Sequence, residues 1–234
     1  ISVLSSMAFV IAAVVFYLFT TSIKSQKTFI YILPLFLMVF FTPNVQVLFS
    51  SGIRSGIAFA ILMMGFLSTK SFYRYLLFIL SVAVHLSMLP ILSLYVLFKF
   101  LNNTRIRTPF TFSLLILVLA SFVISFGSTQ VHFVDIVSAS AAYNFIIFYV
   151  ALLIIFINKK ALKDIYGFMS VGLILIYLAG LVIDASFIRY VGNSILLYLL
   201  FLIRRGEGGT IQVFSIGYSP FFLLTLYYSI SNWF

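Results

Sequence analysis

The sequence predicts an all-α chain, a polytopic integral membrane protein of about eight or nine membrane helices with one broken or re-entrant. Three observations carry that expectation. The chain is 64% hydrophobic and 8% charged, against roughly 25% charged residues in ordinary soluble domains. Apolar runs of about 17–25 residues, each long enough for a bilayer, recur from end to end. No loop exceeds about 15 residues, so there is no room for a separate soluble domain, and residues 1–234 read as one helical domain. Because Ile1 enters the first apolar run directly, the chain is expected to lack helices that precede it in a longer protein.

The expected segments follow from apolar runs and their polar stops. The first covers about 2–21 and closes at Lys24 and Lys27; the second, about 28–43, holds Pro34 and ends at "TPN". The third, about 52–69, closes at Lys70 and Arg74; the fourth, about 75–101, is broken at Pro90. Segments five and six take about 110–126 and 141–157, the latter closed by "NKKALKD". Segments seven, eight and nine take about 165–183, 186–203 and 211–232.

Basic residues gather on the cytoplasmic side of membrane proteins. If the fourth segment enters and turns back near His85–Pro90, then Lys24, Lys27, Lys70, Arg74, Lys99, Arg105, Arg107, Lys159, Lys160, Lys163, Arg204 and Arg205 share one side. Arg54 and Arg189 then remain on the other. A non-crossing segment at 28–43 is the alternative, and it moves Arg54 across. The side that holds Arg54 and Arg189 is then the outer one, and the chain crosses the membrane many times.

Composition also excludes chemistry. There is no cysteine, hence no disulfide, thiolate nucleophile or soft metal site. Two histidines and four acids, scattered, give no metal-ligand spacing, and neither metal nor cofactor is expected. The net charge of +10 fits anionic lipid rather than nucleic acid in so apolar a chain.

Ionisable residues inside apolar runs are the functional candidates, because placing them there is costly. Arg54 opens "IRSGIAFAIL" beside a Gly52-x-x-x-Gly56 pattern; its planar fork of donors suits phosphate, although an interfacial arginine has the same appearance. Arg189 lies a turn into its segment, with Asn193 at i+4 and Asp184 as a local partner. Two arginines on neighbouring helices would clamp a diphosphate. His85 reads equally as a general base or as a buried strut bonded to Ser81 at i−4. His132 and Asp135 fall in the loop after segment five.

"IRSGIAFAIL" followed by "LLFILSVAVHLSMLPIL" resembles the EpsG-like family of bacterial polysaccharide polymerases, grouped with Wzy-type O-antigen and capsule polymerases. Arg54 matches the family's arginine, and Ala83, His85 and Ser87 match its Ala-x-x-(Phe)-His-x-Ser element. Ser55 stands where glutamine is usual, and Val84 where phenylalanine is. The resemblance covers residues 50–95. It implies transfer of a growing glycan from an undecaprenyl-diphosphate-linked oligosaccharide to a new repeat unit, by a multi-pass protein of the bacterial inner membrane with its active site toward the outer face. Arg54, His85 and Arg189 would be catalytic, and Ser55, Ser87, Asn193, Asp184, His132 and Asp135 would bind substrate. Membrane lipids and a chain-length regulator would be partners. A flippase or other transporter is the alternative reading. A membrane O-acyltransferase is weaker, because Met63, Met64, Gly65 and Phe66 stand where its histidine is expected.

Overall fold

The computed structural model describes residues 13–21, 23, 26–42, 53–104, 161–180 and 189–231. Every described element is helical, so the all-α expectation holds among these residues. Helix α1 covers residues 13–21; α2 is Gln26–Phe41, α3 Ile53–Leu67 and α4 Ser71–Val84. A 3-10 turn, Leu86–Met88, leads into α5, Leu89–Thr104. A second, Ala161–Lys163, precedes α6, Ile165–Gly180, and then come α7, Arg189–Arg205, and α8, Gly208–Ser231. Expected segments five and six lie outside the described residues.

The membrane expectation is corrected. No described helix is long and apolar enough to cross a membrane. This overturns the polytopic reading and, with it, the multi-pass inner-membrane location and its outward-facing site. The physical reason is length and interruption. Helices α2 to α7 have 14–17 residues, or about 21–26 Å at 1.5 Å per residue, against a hydrocarbon core of about 30 Å. The fourth apolar run is cut in two at His85. Helix α8 has 24 residues, but Thr210, Gln212, Ser215, Gly217, Ser219 and Pro220 dilute its first half.

The apolar runs instead make a helix-on-helix core. Helix α7 is its centre: Tyr190 through Ile203 are all buried, as expected for a helix apolar on every face. It packs on α6 and α2; α5 packs on α6, α8 on α2, and α3 on α4. Ser170 and Ser194 clasp α6 to α7. Each hydroxyl lies on the other residue's carbonyl, at 2.8 and 2.9 Å, and the two hydroxyls are 2.9 Å apart. Gly206, at φ 66°, ends α7 in the left-handed conformation a Cβ disfavours, and its N–H bonds the Leu202 carbonyl at 3.0 Å.

Gly172 is where α5 meets α6 most closely. A Cβ there would stand 2.6 Å from Leu94 Cδ2, and Leu94 is fully buried. Gly172→Ala should therefore cost about 1–3 kcal/mol of overpacking, against about 1 kcal/mol of helix propensity gained. A denaturation midpoint at or above wild type would refute that close fit.

The break at His85 is a reversal. The Phe78 and Tyr95 rings lie 5.1 Å apart, whereas 17 residues of unbroken helix would separate them by about 25 Å. Phe66 from α3 completes a three-ring cluster, 5.1 Å from Phe78 and 5.6 Å from Tyr95. The chain thus folds back on itself, with one ring from each of α3, α4 and α5 in mutual contact.

Candidate functional site

The reversal brings the two sequence elements together. Ser55, in the first turn of α3, and Ser87, in the 3-10 turn, are both buried, with their hydroxyls 3.5 Å apart. That is a long hydrogen bond, weak in energy. It nevertheless joins residues 32 apart in sequence and sets Arg54 and His85 at one end of the α3–α4 pair.

His85 has a defined hydrogen-bonding state. Its backbone is extended, φ −155° and ψ 118°, which lets it close α4 and open the next turn. The backbone N–H bonds the Ser81 carbonyl at 3.0 Å, while the Ser81 hydroxyl turns to Phe78 O. The expected side-chain bond from Ser81 to the ring is thus replaced by another: Nδ1 accepts from the Ser87 N–H at 3.1 Å. A neutral imidazole that accepts at Nδ1 carries its proton at Nε2. The ring therefore carries its N–H on the edge away from the Ser87 N–H. Base chemistry at Nε2 would require the other tautomer and loss of the Ser87 bond.

Arg54 is exposed, in the first turn of a helix that has no acid there. It makes no hydrogen bond or ion pair among the described residues. A cation at a helix N-terminus is unfavourable by about 0.3–1 kcal/mol. The guanidinium and the helix N-terminus together favour an anion.

Arg189 opens α7, and its side chain is not among those described. Helix α7 packs on α6 and α2 while α3 packs on α4 and the 3-10 turn, so the two arginines belong to different packing pairs. Asp184, His132 and Asp135 lie outside the described residues. Asn193 is fully buried in α7, and among the described residues neither its Oδ1 nor its Nδ2 has a partner. The sequence offered it as a substrate-binding neighbour of Arg189, a role its full burial does not fit. Tyr198, which the sequence reading passed over, is also fully buried with an unbonded hydroxyl. Burial pushes its phenol well above the ordinary tyrosine range, against the opposing charge of Arg205.

An unpaired buried amide costs about 1–3 kcal/mol. Asn193→Leu, of similar volume and without polar atoms, should therefore raise the chain's stability by about that amount. Urea melts that show a loss would mean the amide has a partner.

No protein-family model matches the chain, and neither a curated protein nor a solved structure is similar to it.

Proposed function

We propose that the chain is a glycosyltransferase that polymerises oligosaccharide repeat units carried on a lipid diphosphate. The observation that supports this is the meeting of Arg54–Ser55 with His85–Ser87, two elements whose pattern resembles that of polysaccharide polymerases. The bond between C1 of the donor sugar and the diphosphate oxygen breaks, and a hydroxyl of the acceptor sugar bonds to C1. The diphosphate leaves as an anion. Arg54, with the first-turn N–H groups of α3, stabilises that charge without a metal. His85 Nε2–H donates to the departing oxygen or holds the sugar. The acceptor's proton passes to a base, for which the sequence offers His132, Asp135 and Asp184. Ser55 and Ser87 fix the two elements in register, and Arg189 remains a candidate for the second diphosphate, whereas Asn193, fully buried, is out of reach of a glycan.

The carrier's isoprenoid tail needs an apolar surface. Leu86, 69% exposed, lies beside His85, and Phe72, Tyr75, Leu76 and Ile79 of α4 are exposed as well. Incubating the full chain with an undecaprenyl-diphosphate-linked repeat unit and resolving products by gel tests the reading. A ladder of lengthening glycans is expected. Unchanged substrate under conditions where the protein is folded would overturn it, and transport of intact substrate would favour the transporter.

A further inference from the structure

The opposite end of the bundle holds an unassigned concentration of positive charge. Following α3 from Arg54 to Phe66 covers about 18 Å, so this end is remote from His85. Lys70 and Arg74 begin α4, Lys99 lies near the end of α5, and Lys163 precedes α6; Arg204 and Arg205 close α7. Aromatic rings hold them together. Lys99 lies over the Tyr95 ring at 5.9 Å and Arg204 over the Tyr166 ring at 5.6 Å. Phe66 touches both rings, with centroids 5.6 Å from each.

That charge is poorly compensated. Against these six cations stand two described carboxylates, Asp164 and Glu207. Both are already engaged. Asp164 Oδ1 accepts the Tyr166 N–H at 2.9 Å and so caps α6, and Glu207 pairs with Arg205 at 2.6 Å. Helix dipoles do not supply the difference. The C-termini of α3, α5 and α7 are matched here by the N-termini of α4, α6 and α8, and their half-charges of about −0.5 and +0.5 cancel. Arg74 uses Nη2 to bond the Ser68 carbonyl at 2.6 Å, yet its Nε is buried with no partner.

We propose that Arg74, Arg204 and Tyr166 form a binding site for a phosphate group at this end of the bundle. Two guanidinium groups offer forked donors of the geometry that phosphate oxygens accept. Tyr166 lies between α3 and the end of α7, and its hydroxyl supplies a neutral donor. Burial raises the phenol's pKa more than Arg204 and Arg74 lower it, so the proton stays in place at neutral pH. Free diphosphate and a phospholipid head group share this chemistry. The site is independent of the glycosyl-transfer reading, and its test needs no activity.

Calorimetric titration of the full chain with inorganic diphosphate should give saturable binding. Arg204→Gln should weaken it roughly tenfold or more, because an exposed guanidinium fork is lost. Arg204→Lys should restore only part. Lys163→Gln, which removes the same charge outside the proposed contacts, should weaken binding by less than about threefold. Equal losses in Arg204→Gln and Lys163→Gln would mean diffuse attraction and overturn the site. If diphosphate does not bind, flotation with phosphatidylcholine vesicles with and without phosphatidylglycerol decides. Capture that needs phosphatidylglycerol and is lost in Arg204→Gln assigns the site to a head group; no Arg204-dependent binding to either probe refutes it. Arg74→Gln should behave like Arg204→Gln. If Arg74→Gln fails to fold, which the bond to Ser68 makes a real outcome, Arg204→Gln alone carries the decision.

Discussion

Arg54→Ala should lower glycan elongation by about two to three orders of magnitude, the loss seen when one fixed donor to a developing anion is removed. The same variant should keep or slightly raise stability. Arg54 is exposed, and deleting a cation from a helix N-terminus removes an unfavourable interaction of about 0.3–1 kcal/mol. Activity and stability thus move in opposite directions, which no folding defect would produce. Arg54→Lys should recover little, since an ammonium is a point charge without the planar fork. Product ladders and thermal melts on the same preparations give both readouts. Wild-type elongation by Arg54→Ala would remove the arginine from the mechanism and leave the family resemblance without its central residue.

The second large effect belongs to His85, and the geometry splits its two nitrogens between two substitutions. Asparagine places an acceptor near the position of Nδ1 and is a strong helix-capping residue. His85→Asn should therefore retain the bond from the Ser87 N–H and fold normally, yet lose the donor at Nε2. Glutamine reaches to about the position of Nε2 with an amide N–H but surrenders the cap, at a cost of about 1 kcal/mol. If Nε2–H is the working group, His85→Asn loses elongation by about a hundredfold, within the usual range for a positioned proton donor. His85→Gln, though less stable, keeps a larger share. The reverse order would assign the ring to structure. Equal, complete loss in both, with normal folding, would favour a base acting through the other tautomer.

Much of the helical architecture was legible, because long apolar runs bounded by charge leave few other options. The break in the fourth run was also legible from Pro90. Its location five residues earlier, at His85, reflects proline's tolerance for the first turn of a helix: Pro90 is the second residue of α5, and the chain must already have turned before it. Pro34 and Pro220, by contrast, lie inside α2 and α8, which run through them. What sequence could not decide was the destination of the apolar runs. A helix apolar on every face reads alike whether hydrocarbon or other helices surround it, and α7 is enclosed by protein. At the site, Arg54 and His85 stood out because charge is rare in this chain. The Ser55–Ser87 contact depends on how the chain reverses, and the unpaired Asn193 amide on what packs around α7. Neither quantity exists in a linear string.

The hydroxyl of Thr42, at the end of α2, lies 2.9 Å from that of Tyr218 in α8, a partner 176 residues away. During synthesis, at about 5–20 residues per second, α2 waits roughly 9–35 s before that partner exists. Its other partner, α7, comes only a little sooner. Through that interval Ile32, Leu35, Phe36 and Val39, buried in the finished fold, have no α7 or α8 to cover them. Helices α7 and α8, made long after α2, are thus the ones that close it. A ribosome stalled before Gly208 would hold a chain whose early half is vulnerable to aggregation and proteases, and release of α8 would be the step that ends that exposure.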